Sequence, residues 1–212
     1  GRVSNISSER LLDECKKLTK SESFLKLTKD KDCLEIINLI FPQFKNISIF
    51  SKLNNFAKKN FFKVDFIFLL SLMIIDGTDN VDYFLYKFNI SKKDQKRIKI
   101  IDNFYKEKIN SKTFTEDNMN KVFYYHGKQA SLDILNHRII KSKKIDQGIK
   151  GLSKLYESSV VPIMPVSADI IMKKYKIPEG KQLGEKLKMI EEVWVENNFQ
   201  ISDQQVDNII NN

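Results

Sequence analysis

The sequence predicts an all-α fold, an array of about a dozen short helices. The chain has 212 residues, of which only 7 are Gly and 4 are Pro. Few of its runs alternate apolar and polar residues as a half-buried strand would. Apolar residues instead recur three and four positions apart, which is the spacing of one helix face. With 42% hydrophobic residues, the chain can bury a core.

The first half of the chain is predicted to contain seven helices. Ser7 or Ser8 can cap the first. The stretch from Val64 to Ile75 is apolar nearly all round, which is typical of a central helix. A long basic helix follows Ser91 and reaches about residue 108. The other helices are predicted at about 23–29, 33–40, 47–59 and 83–88. The inner faces of the first and the long basic helix are Leu11, Leu12, Cys15 and Leu18, and Ile98, Ile101, Tyr105 and Ile109.

The second half continues the helical array. A break near Val161-Pro162 predicts two parts, residues 1–160 and residues 161–212. The helices are predicted at about 116–125, 129–141, 146–157, 167–174, 183–196 and 202–210.

Positive charge is concentrated in the middle third of the chain. The formal net charge is +9. Residues 81–150 hold 16 Lys and Arg against 8 acidic residues, whereas residues 151–212 hold 7 against 9. This asymmetry indicates a polyanionic partner, most simply nucleic acid, although Lys enrichment is also typical of an AT-biased genome. Only 4 of the 36 basic residues are Arg, which favours phosphate contacts over reading of base edges.

Cysteine usage and hydropathy predict a cytoplasmic protein. Cys15 and Cys33 stand apart without metal-ligand spacing, which is typical of a reduced compartment. The longest apolar run, from Phe66 to Ile75, is too short to span a bilayer. Because no signal-peptide pattern is found either, we expect no membrane partner.

The sequence offers no candidate for catalysis. His126 and His137 lack a carboxylate or Cys partner at metal-ligand spacing, and no nucleophile elbow, Walker loop or dinucleotide fingerprint occurs. Asp30 and Asp32 have the spacing of a metal-binding pair, but their polar context predicts a solvated turn. We therefore expect no catalytic residue, metal site or cofactor in this chain.

Lysines cluster at predicted helix ends and turns. Backbone N–H groups and ammonium charges together suit a phosphate backbone, and A-form RNA presents phosphates and 2′-hydroxyls more readily than base edges. Tyr124 and Tyr125 could stack on a base, with core packing expected for at least one of them. Any single lysine here is more often simply solvated, but the set occupies successive turns. The candidate RNA-binding residues are Lys128, Arg138, Lys141, Lys143, Lys144, Lys173, Lys174, Lys176, Gly180 and Lys181.

The segment from Met164 to Phe199 combines a short helix, a turn and a longer helix. Ser167 can cap the short helix, and residues 178–180 make the turn. The residue order resembles the end of bacterial class II tRNA nucleotidyltransferases, the CCA-adding enzymes, and their poly(A) polymerase relatives. In that family a P-x-S-G-K-D helix is followed by a P-G-P-x-L-G turn and an E-E-x-W-x-E-N helix. The matching positions are Pro165, Ser167, Gly180, Leu183, Gly184, Glu191, Glu192, Trp194, Glu196 and Asn197.

Three further segments resemble motifs of this family, in its order and at about its spacing. Residues 6–14, ISSERLLDE, resemble its I-S-x-E-R-I-x-x-E motif. Residues 83–93, YFLYKFNISKK, resemble an L-x-x-L-R-L-S-N stretch. Residues 123–133, FYYHGKQASLD, resemble the helix–turn–helix Y-R-x-G-K-E-A-A-L-D. The resemblance thus spans essentially the whole chain.

The resemblance implies a fold similar to the C-terminal region of poly(A) polymerase. Residues 1–160 would be a neck remnant and helical body, and residues 161–212 the C-terminal tail helices. Such a part grips the acceptor and TψC arms of tRNA, or another structured RNA, by phosphate and shape contacts. Mg²⁺ and CTP or ATP would belong to an absent N-terminal head domain, so this chain alone would be inactive. Glu9, Arg10 and Glu14 would brace the neck helices or form a surface ion-pair set on one helix.

The tail departs from the family pattern in ways typical of a divergent member. Ser167-Ala168-Asp169 replaces S-G-K-D, and residues 179–181 replace P-G-P. A second hypothesis is a catalytically inert helical scaffold that binds a protein partner, such as a head domain supplied in trans. It predicts an exposed apolar patch around Leu11, Leu12 and Cys15. A third, an autonomous enzyme, predicts nucleotide incorporation by this chain alone.

Overall fold

Every regular element in the described part of the chain is a helix. The computed structural model describes residues 7–21, 23–107, 113–144 and 146–211, and no strand occurs in them. Short 3-10 helices lie at Ile47–Lys52 and Phe61–Lys63. The predicted all-α fold is confirmed. The α-helices are α1 (Ser8–Lys20), α2 (Phe24–Leu27), α3 (Lys31–Ile40), α4 (Asn55–Asn60), α5 (Phe66–Ile74), α6 (Asn80–Lys87), α7 (Lys92–Lys106), α8 (Glu116–Lys141), α9 (Gln147–Ser158), α10 (Ala168–Tyr175), α11 (Lys181–Glu196) and α12 (Asp203–Asn211).

The chain forms two compact units that alternate along the sequence. The first takes its described residues from Gly1–Ser111 and Leu132–Lys154, and the second from Lys112–Ser131 and Leu155–Asn212. Helix α8 therefore begins in the second unit and ends in the first. Residues 155–160 group with residues 161–212 in this division. The predicted body-and-tail boundary at residue 160 stays a prediction.

Serine side chains cap three helices at the predicted positions. The Ser7 hydroxyl accepts a hydrogen bond from the Arg10 N–H at 3.2 Å, and Ser91 and Ser167 cap α7 and α10 in the same way. Each bond satisfies an N–H group that the first helical turn leaves without an intrahelical partner. These caps fix where the helices begin.

Helix α5 is the centre of the first unit, as its all-round apolar sequence predicts. Leu70 is 0% exposed. Aromatic pairs complete this core: Phe24 meets Phe50 edge-on at 5.2 Å between ring centroids, and Phe84 stacks on Phe88 at 4.4 Å. Such pairs add a geometric preference to the area that they bury.

Helix α7 presents its predicted inner stripe to this core. Ile98 and Ile101 are buried, and the Tyr105 hydroxyl donates to the Ile134 carbonyl at 2.9 Å. The helix ends at Lys106. The predicted extension to residue 108 and the predicted inner position Ile109 lie outside the described residues.

The prediction of one helix over residues 47–59 is wrong. A 3-10 helix covers Ile47–Lys52, and the separate helix α4 begins at Asn55. Asn54 stands between them: its side-chain oxygen accepts from the Ala57 N–H at 2.9 Å, and its amide donates to the carbonyls of Ile139 and Ser142. These distant carbonyls favour a capping conformation at Asn54 over a continuous helix.

Helix α8 is interrupted at Gly127. This glycine has φ 83° and ψ 176°, a conformation that is essentially restricted to glycine. The two helices predicted on either side, 116–125 and 129–141, therefore join through a kink in place of a turn. Lys128 follows the kink directly.

The second unit has its own apolar core, formed largely by α10, α11 and α12. Ile171 and Ile190 are 0% exposed, and Trp194 is 2% exposed. Tyr156 on α9 is buried too, and its hydroxyl donates to the side-chain oxygen of Asn120 on α8 at 2.7 Å. This core holds the segment between α10 and α11 in place.

Candidate nucleic-acid interface

The segment between α10 and α11 is a turn flanked by lysines. Lys176 ends α10 in the left-handed region, with φ 56°, and Gly180 precedes α11. No side-chain hydrogen bond caps α11, and its first turn holds no acidic residue. The N–H groups of that turn and the positive end of the helix dipole can therefore receive an anion.

Three lysines in or beside this turn are open to solvent. Lys173 and Lys176 are exposed. The side chain of Lys181 is 91% exposed and lies 3.6 Å from Glu185, one helical turn further on. An exposed pair of this kind is weak, so the Lys181 ammonium can exchange its carboxylate for a phosphate. We call Lys173, Lys176, Gly180 and Lys181 the tail turn.

Two other predicted lysines of the second unit already have partners within it. Lys174 Nζ lies 3.2 Å from Asp207 Oδ1, and the Tyr175 hydroxyl donates to the same carboxylate. Hydrogen bonds with Tyr175 and Asp207 raise the pKa of Lys174 to about 12. Lys128 Nζ donates to the Glu157 carbonyl at 3.0 Å. The ammonium groups of these two lysines are therefore bonded to oxygen atoms of the protein itself.

The predicted residues at the end of α8 belong to the first unit and differ among themselves. Arg138, Lys143 and Lys144 are exposed. Lys141 instead turns inward, where its Nζ donates to the Ile75 carbonyl at 3.2 Å. Burial lowers the pKa of Lys141 to about 8. Lys141 therefore bonds to the carbonyl that follows the C-terminal end of α5, whereas the exposed lysines point to solvent.

Two of the sequence motifs contact each other inside the second unit. The Tyr124 hydroxyl donates to Glu191 Oε1 at 2.6 Å, and the Tyr124 ring meets the Trp194 ring edge-on at 5.2 Å. Beside them, Lys121 Nζ lies 3.0 Å from Glu196 Oε1. The first half of α8 and helix α11 are thus joined by residues from segments about 70 positions apart.

The two tyrosines predicted as stacking candidates have different environments. Tyr124 packs in the joint just described, where burial and then its bond to Glu191 raise its pKa to about 12. Tyr125 is 50% exposed. It lines an open groove with a volume of about 340 Å³ between α8 and α11. Of the pair, Tyr125 is the one that can meet a ligand.

The predicted neck residues lie on the exposed side of α1. Glu9, Arg10 and Glu14 are all exposed. Glu14 Oε1 lies 2.8 Å from Lys17 Nζ on the same helix, and this hydrogen bond lowers the pKa of Glu14. Ile6, the first residue of the motif, lies outside the described residues. The Glu14 contact fits an ion pair on one helix, which is one of the two alternatives.

A partly buried ion-pair network in the first unit was not predicted. The Arg97 guanidinium contacts Asp133 through Nε at 2.7 Å and Asp65 through Nη1 at 2.9 Å. It thereby links α7 to the N-terminus of α5 and to α8. The signal for it was an Arg in a chain whose basic residues are nearly all Lys, since only Arg offers a planar fork.

The described residues also bear on metal, histidine and membrane expectations. No group of three or more His, Cys, Asp or Glu side chains among them is placed to hold a metal ion. His137 is fully buried, and burial lowers its pKa well below the ordinary value of 6.5. Neither ring nitrogen has a well-formed hydrogen bond in the described part of the chain, although the Ser71 backbone lies close. None of the helices in that part is long and apolar enough to cross a membrane.

An open apolar cavity lies between α1 and α3 in the first unit. Its volume is about 420 Å³. Elsewhere on α3, Ile36 and Leu39 are 57% and 83% exposed. Burial raises the pKa of the Cys15 thiol in its wall to about 12, so this thiol stays protonated and unreactive at neutral pH. The lining residues include Leu11, Cys15, Leu18, Ile37, Phe41 and Met73.

Comparison with known proteins gives no assignment. No protein-family model matches the chain, and no curated protein sequence matches it.

Proposed function

We propose that the chain is the RNA-binding helical portion of a cytoplasmic tRNA nucleotidyltransferase or poly(A) polymerase. Its fold would be that of the family's C-terminal body and tail. It would grip the acceptor and TψC arms of tRNA by phosphate and shape contacts. A head domain outside this chain would add the nucleotides, with Mg²⁺ and CTP or ATP.

The tail turn is the observation that carries this proposal. It combines an uncapped helix N-terminus with the exposed ammonium groups of Lys173, Lys176 and Lys181. A phosphate is the group that uses both features together. Arg138, Lys143 and Lys144 on the first unit supply further exposed positive charge for an RNA backbone.

The joint between α8 and α11 supports the family resemblance. Tyr124 comes from the segment similar to Y-R-x-G-K-E-A-A-L-D, and Glu191 and Trp194 come from the segment similar to E-E-x-W-x-E-N. Two segments that were matched separately in the sequence thus contact each other. This contact would hold the tail helices in a fixed position for RNA.

Charge reversal in the tail turn tests the proposal. Lys173→Glu, Lys176→Glu and Lys181→Glu should each weaken tRNA binding and lower the slope of log Kd against log salt by about 1. Lys29→Glu is the matched control, because Lys29 is exposed in the first unit and is not one of the predicted RNA-binding residues. Equal effects of the control and the three turn variants would contradict a site at the tail turn.

The cavity between α1 and α3 favours a second candidate, a scaffold that binds a head domain in trans. It lies where the predicted patch around Leu11 and Cys15 would be, and both residues line it. A family head domain should then co-sediment with the chain, and Leu11→Asp should abolish this association. Unchanged association of the variant would contradict a docking surface at this cavity.

A further inference from the structure

Helix α6 exposes two aromatic side chains on one face. Tyr83 is 56% exposed and Tyr86 is 87% exposed. They are three positions apart, so they project from the same side of the helix. The opposite side anchors α6 in the first unit, since Val81 and Phe84 are both 0% exposed. A firmly held helix therefore presents two large rings to solvent.

Lysines crowd the beginning of α7, which follows α6 after four residues. Lys92, Lys93 and Lys96 are exposed, and no ion pair involves them among the described residues. The nearest acidic side chain in this turn, Asp94, accepts the Ser91 hydroxyl at 2.7 Å. Asp94 offsets one of these charges, so the beginning of α7 keeps an excess of positive charge.

A salt bridge shows how α6 and α7 run relative to each other. Asp82 near the start of α6 lies 2.9 Å from Lys99, in the middle of α7, so the two helices run in opposite directions. Tyr86 follows Asp82 by one helical turn. Lys96 and Lys92 precede Lys99 by about one and two turns. Tyr86, Lys92 and Lys96 therefore lie on the side of the two helices that carries the Asp82–Lys99 bridge.

We propose that this hairpin binds single-stranded nucleic acid, with Tyr83 and Tyr86 stacking on bases and Lys92, Lys93 and Lys96 contacting phosphates. We call these five residues the hairpin surface. Stacking on exposed tyrosines requires bases whose faces are free, which a duplex does not offer. Stacking on a ring does not depend on the identity of the base, and a lysine–phosphate contact does not involve the sugar. Binding should therefore tolerate changes of sequence and of sugar.

This site is independent of the tRNA proposal. It uses none of the tail-turn residues, and it needs an unpaired strand where the tail turn needs the backbone of a folded RNA. Failure of either proposal therefore leaves the other standing. The two are told apart by adding a base-paired hairpin as competitor.

The test is fluorescence anisotropy of the full chain with labelled oligo(U) and oligo(dT) of about a dozen nucleotides, within the size range of single-strand sites. Tyr86→Ala should weaken binding of both strands about tenfold, as expected for one lost stacking contact. Tyr86→Phe keeps the ring and should bind as the wild type does. Ile163→Ala is the matched control, because Ile163 is 89% exposed but lies outside the hairpin surface.

The charged residues give a second measurement. Lys96→Glu should lower the slope of log Kd against log salt by about 1. Unchanged binding by Tyr86→Ala would overturn the proposal. This holds even if Lys96→Glu weakens binding, because the strand would then be bound by positive charge without base stacking. Equal binding of a base-paired hairpin at this surface, lost equally in Tyr86→Ala, would overturn it as well.

Discussion

Arg97 and Asp133 are joined at two points in the first unit. Arg97 Nε lies 2.7 Å from one Asp133 oxygen, and Nη2 lies 3.0 Å from the other. The Asp133 side chain is only 4% exposed, whereas Asp65, which shares the same guanidinium, is 52% exposed. The buried half of this network should therefore contribute most of its stabilisation.

Asp133→Ala should lower the free energy of unfolding by about 3 kcal/mol, because it leaves a half-buried guanidinium without its buried partner. Arg97→Lys should be destabilising too, since an ammonium cannot make the fork. Asp82→Ala is the control. Its ion pair with Lys99 is about half exposed on both sides and should be worth less than about 1 kcal/mol. Urea denaturation measures all three, and a control as costly as Asp133→Ala would contradict this ranking.

Two glycines should respond to alanine with opposite signs. Gly127 has positive φ at the kink of α8, so Gly127→Ala should cost about 1–3 kcal/mol. Gly151 lies inside α9 with open space around it, so Gly151→Ala should stabilise by about 0.5–1 kcal/mol. Thermal unfolding of both variants checks the pair. A stabilising Gly127→Ala would mean that the kink does not need its glycine.

Stability should fall on mild acidification because of His137. Burial holds its folded-state pKa well below 6.5, so the unfolded chain binds the additional proton. The free energy of unfolding should then decrease by up to about 1.4 kcal/mol per pH unit as pH drops below about 6.5. His137→Leu should remove that part of the slope between about pH 5 and 6.5. An identical slope in the variant would show that other groups cause the loss.

Lys141 should produce a pH effect in the alkaline range. Its folded-state pKa of about 8 lies below the ordinary 10.5, so the unfolded chain binds more protons between these values. Stability should therefore rise from pH 8 to 10.5. Lys141→Met should lack this rise. It should also be more stable at pH 7 by about 1 kcal/mol or more, because it removes a buried charge. The Ile75 carbonyl keeps a donor in the variant, since the Asn46 side chain still bonds to it. A less stable variant at pH 7 would contradict the burial cost.

The parts of the fold that depend on neighbouring residues could be predicted from the sequence. The caps at Ser7, Ser91 and Ser167 act within three residues, and α5 is buried because it is apolar all round. The break at Asn54 could not be predicted, because the carbonyls that its amide contacts lie at residues 139 and 142.

The candidate site shows the same division. That lysines gather at the tail turn follows from the chain itself. That Lys141 turns inward while Lys143 stays exposed depends on a carbonyl 66 positions earlier. The hairpin surface was also missed, because Tyr83 and Tyr86 look like core residues until the exposed face of α6 is known.

Whether the chain grips RNA is tested by its binding to labelled tRNA across a salt series, with an RNA hairpin of unrelated shape as competitor. The chain should prefer tRNA, and its affinity should fall steeply with salt, since each neutralised phosphate releases counterions. Absence of any preference for tRNA, or no binding at moderate salt, would contradict the proposal that this chain grips RNA.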